Sequence, residues 1–284
     1  MKLLRVGQKG QEKPAIIDEQ GLTRDLSAYV SDIDQAFLAG DAASDVAKLD
    51  LSTLPIIDSN ERIGQPIACV GKFICVGLNY ADHAAETGVD VPSEPVLFMK
   101  ATSAVMGPND TVLLPPGSEK SDWEVELGVV IGKEAKYVTE ENAMDHVAGF
   151  CVINDLSERE YQLEKEGQWC KGKGCDTFGP VGPCLVTPDE VAEFNDLGIW
   201  LELNGKRMQD GNTSTMVYKV PFLVHYISQF MSLQPGDIIS TGTPPGVGLG
   251  MNPPLYLKTG DVMRLGISGL GEQQQTVAST VLES

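Results

Sequence analysis

Apolar and polar residues along this chain alternate in short runs broken by glycine and proline, the pattern of a β-rich protein. From Lys72 onward the runs ICVGL, VLFMK, WEVELGVVI, FCVIN, IWLELNG, DIISTG and DVMRLGI read as strands separated by Gly/Pro turns. Before them KLLRV and PAIID form shorter strands beside the turn signals GQKG and DEQG, and the weakly helical DIDQAFLAG leads to the polar stretch DSNERIGQP. This predicts a small strand-rich N-terminal domain over residues 1–70 and a main domain over 71–284. One longer helix is expected in VPFLVHYISQFMSL, where Phe222, Leu223, Tyr226, Ile227, Phe230 and Met231 recur with a near-3.6 period until QPGD stops it. The fold class is mostly β with short helices (α+β).

Composition narrows the partners. The chain has 284 residues, 42% of them hydrophobic, enough for a real core. Its 21 basic and 40 acidic residues give a formal charge of −19. Such a field repels nucleic acid and anionic membranes, and an anionic substrate would need a local cation in its site. No apolar run approaches the roughly 18 residues of a membrane helix, and the opening MKLLRVGQKGQEKPAII lacks a signal-peptide core, so a cytoplasmic protein is expected. The six cysteines contain no CxxC pair and read as reduced core or loop thiols.

The stretch DWEVELGVVIG carries the first chemical signal. Side chains two apart on a strand share a face, so Glu124 and Glu126 stand side by side, about 7 Å apart at Cα. Two carboxylates there repel unless a cation lies between them, and a hard divalent ion such as Mg²⁺ or Mn²⁺ prefers such donors. Asp155, at the end of the apolar strand Phe150–Asn154, supplies a third oxygen ligand. Asp122 has the parity of the two glutamates but lies at the fraying start of the strand and ranks below Asp155. An acid-protected edge strand explains the same residues without a metal.

Three further constellations surround it. In NYADHAAETG a short helix is expected with Asn79 as N-cap, putting His83 and Glu86 on one face; a carboxylate holding an imidazole makes a general base. On spacing alone, an incidental surface pair is the commoner outcome. In SEREYQLEKEGQWCKGKGCDTFGP, Ser157 and Glu160 fit a capping box that places Arg159 and Gln162 together, suited to a substrate carboxylate. Lys171 and Lys173 follow among glycines that permit close approach to a ligand. The loop STGTPPGVGLG offers backbone amides, including that of Gly242, and the hydroxyls of Thr241 and Thr243, for an oxyanion. It is neither a P-loop nor a dinucleotide fingerprint. His146 and His225 read as packed or boundary histidines.

In this order, LNYADHAAE, EPVLFMK, DWEVELGVVIG, NDLSERE, GKGCDTFGPVGP, LNGKRMQDGNTSTM and ISTGTPPGVG resemble the fumarylacetoacetate hydrolase family over about residues 70–284, most closely its acylpyruvate-hydrolase-like branch. The resemblance implies a mixed β-sandwich roll, at least dimeric, with Mg²⁺ or Mn²⁺ on Glu124, Glu126 and Asp155. It implies a catalytic His83–Glu86 dyad with Lys173, and substrate contacts from Lys100, Arg159, Gln162, Gly242 and Thr243. The implied activity is hydrolysis of a 2,4-diketo acid such as 2,4-diketo-3-deoxy-L-rhamnonate to pyruvate and a second acid. Oxaloacetate decarboxylases, 2-keto-4-pentenoate-type hydratases or isomerases and ureidoglycolate lyases share the platform, and an inert metal- or dicarboxylate-binding homologue is the non-enzymatic alternative.

Overall fold

The computed structural model describes residues 1–82, 92–191 and 193–281. Among them a ten-stranded mixed sheet faces a five-stranded one, and a two-stranded ribbon lies beside them. The protein is mostly β, with few and short helices.

The centre of the large sheet is Val125–Ile131, paired antiparallel with Val147–Asn154 on one side and Ile238–Ser240 on the other. Ile238–Ser240 runs parallel to Phe73–Gly77, and Val96–Lys100 completes that edge. Beyond Val147–Asn154 comes Gly179–Val186, to which Lys2–Val6 adds through Leu3 opposite Leu185, carrying Lys13–Ile17 and Thr23–Asp25 with it.

Every residue of Val125–Ile131 is buried because both faces of the strand are covered. Val125, Leu127, Val129 and Ile131 pack in the core shared with Ile199 and Leu265 of the five-stranded sheet. Val130 points the other way, among Leu26, Ile33 and Phe73. Each such side chain contributes roughly 1.5–3 kcal/mol by leaving water. Glu126 shares the parity of Val130 and is buried with it, 2% exposed.

Two local expectations change. The run from Asp122 is not one strand: Ser121–Asp122 pairs with Ser157–Glu158, and Trp123 and Glu124 bridge to Val125–Ile131. Ser157 therefore lies in a β-bridge and caps nothing; its Oγ donates to Asp155 O, and a π-helical turn, Glu160–Glu164, follows. The helix Val220–Ser228 is shorter than its apolar pattern and buries Leu223, Val224 and Ile227. Phe222 instead stacks on Tyr226, which packs against the edge of the core, and Phe230 meets Tyr226 edge to face while remaining 62% exposed.

Candidate metal centre and active-site cavity

Strand register assembles the acids. Asn154 pairs with Val125, so the next residue of one strand, Asp155, falls opposite the preceding residue of the other, Glu124. The Asp155 amide donates to Glu124 O at 2.8 Å, and Glu124 N donates to Asn154 Oδ1 at 3.2 Å. Glu126 reaches the same space from inside the strand. One oxygen from each of Glu124, Glu126 and Asp155 lies within 4.8 Å of the others, and all three residues are buried.

Three cations hold this charge. Lys173 Nζ donates to Glu124 Oε2 at 2.6 Å and to Asp155 Oδ2 at 2.9 Å. Lys100 Nζ donates to the other oxygen of Asp155 and to Leu156 O. Arg159 binds Glu124 Oε1 and Asp122 Oδ2 through Nη2 and Nε, and Gln162 Oε1 through Nη1. Of its five N–H groups, one on Nη1 remains for a ligand, so the guanidinium offers a single bond and not a two-pronged clamp. Burial alone would depress the Lys173 ammonium, but Asp155 and Glu124 outweigh it and hold the group protonated above its ordinary range.

Among the described residues, no cation bonds to Glu126 as Lys173 does to Glu124 and Asp155. Glu126 Oε2 accepts from Ser240 Oγ at 2.6 Å and from Gly242 N at 2.8 Å. Burial first, then the charges of Asp155 and Glu124, push its carboxyl well above the usual range. Oxygen-only donors, crowded and short of positive charge at one member, suit a hard divalent cation. Gly242 can reach Glu126 because its φ is +97° and a Cβ there would lie 2.9 Å from Asn79 Cβ.

The surrounding shell is rigid. Asp122 is not part of the acid cluster: its two oxygens accept from the amides of Trp123, Gly248 and Leu249 as well as from Arg159, tying the glycine-rich loop to the site. The hydroxyls of Thr241 and Thr243 donate to Leu127 O and Val125 O, stitching the same loop to the central strand. Gln209 accepts from Val125 N and donates to Thr243 Oγ1. The Asn79 amide donates to Thr241 O and accepts from Tyr218 N, bridging two loops. Lys173 sits at the end of a short helix, Cys170–Lys173, that approaches the π-turn closely because residue 172 is glycine.

Above the acids opens a cavity of about 310 Å³ whose floor includes Glu124, Glu126, Arg159, Gln162 and Lys173, with Gly242 and Thr243 at one side. Lys100 and Asp155 stand behind this floor. Phe98, Leu163, Trp169 and Leu249 make an apolar wall. His83 and Glu86 lie outside the described residues. Ser240, Gln209 and Trp169 were not singled out from sequence, and Asn79 only as a helix cap: Ser240 had a signal, as the last strand residue before the glycine-rich loop, whereas Gln209 had none. His225 packs as expected, with Nδ1 2.7 Å from Val138 O. All six cysteines are free thiols.

The profile of the family described as Fumarylacetoacetate (FAA) hydrolase C-terminal matches residues 72–278. A Burkholderia multivorans protein provisionally named a hydrolase is 59% identical, covering 97% of this chain and 98% of its own. Among solved structures, a fumarylacetoacetate hydrolase from Exiguobacterium antarcticum superposes with a TM-score of 0.89 at 34% identity, over 99% of this chain and 100% of that one. Maleylpyruvate hydrolase from Sphingobium, solved with manganese(II) and pyruvate, gives 0.82 at 29% over the same shares. A 2-hydroxyhepta-2,4-diene-1,7-dioate isomerase from Mycobacterium marinum gives 0.74 at 30%, again over 99% and 100%. With most of its length matched and its acid cluster in place, this chain belongs to the fumarylacetoacetate hydrolase family.

Proposed function

We propose that the protein is a Mg²⁺- or Mn²⁺-dependent hydrolase that cleaves the C3–C4 bond of a 2,4-diketo acid, releasing pyruvate and a second carboxylic acid. The observation that carries this reading is the buried set Glu124, Glu126 and Asp155, within 4.8 Å of one another, with Lys173 bonded to two of them on the cavity floor. A bound divalent ion supplies Lewis acidity to a chelating 2-oxo acid. The three carboxylates would hold that ion, and Lys100 and Lys173 fix the two oxygens of Asp155 by hydrogen bonds. Support also comes from the manganese and pyruvate bound in the Sphingobium relative.

The remaining groups divide the reaction. His83, oriented by Glu86, takes a proton from water, whose oxygen adds to C4. The C3–C4 bond breaks with its electron pair leaving on the pyruvate fragment. Lys173, already charged in a low-dielectric floor, stabilises that developing negative charge. A proton returned to C3 completes pyruvate, and C4 leaves as the carboxyl carbon of the second acid. A 2,4-diketo-3-deoxy sugar acid such as the L-rhamnonate derivative, giving pyruvate and lactate, is the preferred substrate. The reading includes a cytoplasmic homodimer or higher oligomer.

The test is pyruvate release from 2,4-diketo-3-deoxyrhamnonate, acetylpyruvate and oxaloacetate, with Mg²⁺ and then with chelator, for wild type and His83→Ala. Diketo acid cleavage lost on chelation and on substitution is expected. Oxaloacetate turnover indifferent to His83→Ala would establish decarboxylation in its place, and oxalate binding without any turnover would establish an inert homologue.

A further inference from the structure

The inward side of the strand Gly271–Ser279 carries amides where a sheet face is ordinarily apolar: in EQQQTV, Gln273, Gln275 and Val277 are buried, and Gln274 and Thr276 between them are exposed. Buried amides are costly unless each donor and acceptor finds a partner, and these do. Glu124 N donates to Asn154 Oδ1 at 3.2 Å, Asn154 Nδ2 to Gln275 Oε1 at 3.1 Å, and Gln275 Nε2 to Gln273 Oε1 at 2.9 Å. The remaining protons are taken as well. Asn154 Nδ2 also reaches Met263 Sδ at 3.6 Å, Gln275 Nε2 reaches Pro108 O, and Gln273 Nε2 donates to Val152 O and Gly182 O. Met263 is the cross-strand partner of Gln275, so one register pair of the five-stranded sheet receives both Asn154 protons.

The direction of this chain of amides is fixed from both ends. The Glu124 N–H can only donate, and the carbonyls of Pro108, Val152 and Gly182 can only accept, so none of the three amides can turn over without setting like atoms against each other. Glu124 needs such an anchor because it lies just outside the strand ladder, whose last pair is Asn154 with Val125. The next amide, Val125 N, is held by Gln209, also of the five-stranded sheet. We infer that Gln275 is a positioning residue for the candidate metal centre: by locking the Asn154 amide it fixes the Glu124 backbone, and with it where the Glu124 carboxylate stands among the acids. The five-stranded sheet, which supplies no member of the acid cluster, thereby sets its geometry. The inference rests on the divalent-ion reading of that cluster and deepens it.

Mn²⁺ affinity, measured by calorimetry well below the unfolding temperature, tests it. Gln275→Met keeps the bulk and removes the amide; it should weaken binding about 10-fold, as loss of a group that orients a ligand does. Asn154→Ala should weaken it by a similar factor, and the double variant no further, because the two residues act in series. Ser228→Ala removes a buried hydroxyl that accepts from Val138 N and donates to His225 O, with no path to the acids; it should lower Tm and leave affinity unchanged. Unchanged affinity in Gln275→Met, additive losses in the double variant, or an equal loss in Ser228→Ala overturns the inference. If Gln275→Met does not fold, Gln273→Met, which frees one end of the Gln275 amide, takes its place against the same outcomes. If wild type binds no ion, the metal reading fails on its own account, and hydrogen exchange decides the positioning. Gln275→Met should then speed exchange of the Glu124 amide while the Val125 amide, held by Gln209, keeps its rate. A change shared equally by both amides, or none in either, sinks it.

Discussion

Lys173 Nζ lies 2.6 Å from Glu124 Oε2, and both side chains are more than nine-tenths buried. Removing one member of such a pair strands the other. Lys173→Met should cost about 3–5 kcal/mol in denaturant unfolding of the metal-free protein. Mg²⁺ should restore part of that loss, because the ion supplies positive charge to the same acids, while turnover stays at least about 100-fold down. Arginine at 173 should not rescue activity, since the guanidinium is larger than the buried ammonium it would replace and presents its donors in a fixed plane. Full activity in Lys173→Met would refute the lysine's part.

Glu126 couples the site to pH. In the unfolded chain it ionises near 4.5, while burial, Asp155 and Glu124 hold it protonated to higher pH in the folded chain. The folded state thus binds more protons between those values, and the stabilising contribution of this group, full below about 4.5, is lost as pH rises through the folded value. A divalent ion takes the proton's place, so the Tm gained on adding Mg²⁺ should be larger at about pH 8 than at about pH 5.5. Glu126→Gln should flatten this difference in a thermal-shift series.

Asp122 and Asp155 are both fully buried acids next to Glu124, yet of the two only Asp155 belongs to the acid cluster that could hold a metal. Asp122→Asn places an amide donor against Leu249 N or Arg159 and should lower stability by about 3–5 kcal/mol. By calorimetry it should still bind one divalent ion per chain, about 10-fold more weakly. Asp155→Ala should abolish binding. Equal loss in the two variants would make Asp122 a ligand.

Gly172 sets how near Lys173 comes to the acids. A Cβ at 172 would lie 2.3 Å from Glu158 O and 2.6 Å from Gln162 N, so Gly172→Ala must push the helix Cys170–Lys173 off the π-turn. A loss of about 1–3 kcal/mol is expected, with kcat lowered about 100-fold by misplacement of the ammonium. Steady-state kinetics at saturating Mg²⁺ reads it.

The members of the acid cluster were legible before the fold because parity beside Glu126 singled out Glu124 and position at the end of a strand singled out Asp155, both local properties. The glycines around Lys173 were legible for a similar reason. What local pattern could not show was register, which decides that Asp155 meets Glu124, or the pairing of Ser157 with Asp122, which displaced the expected helix cap. Asp122, Gln209 and Asn79 owe their roles to partners more than 80 residues away in several cases, such as Val125 with Gln209 and Thr241 with Asn79, and carry no sequence signature of it. The aromatic side of Val220–Ser228 misled for a different reason: hydrophobic periodicity does not distinguish residues facing a core from residues that stack on one another.

The three-residue strand Ile238–Ser240 lies between Phe73–Gly77 and Val125–Ile131 and delivers the Ser240 hydroxyl to Glu126. A fragment ending before Ile238 would retain all three acids and still lack the wedge that holds their strands in place. The surroundings of Glu126 are thus completed only by residues near the C-terminal end of the chain.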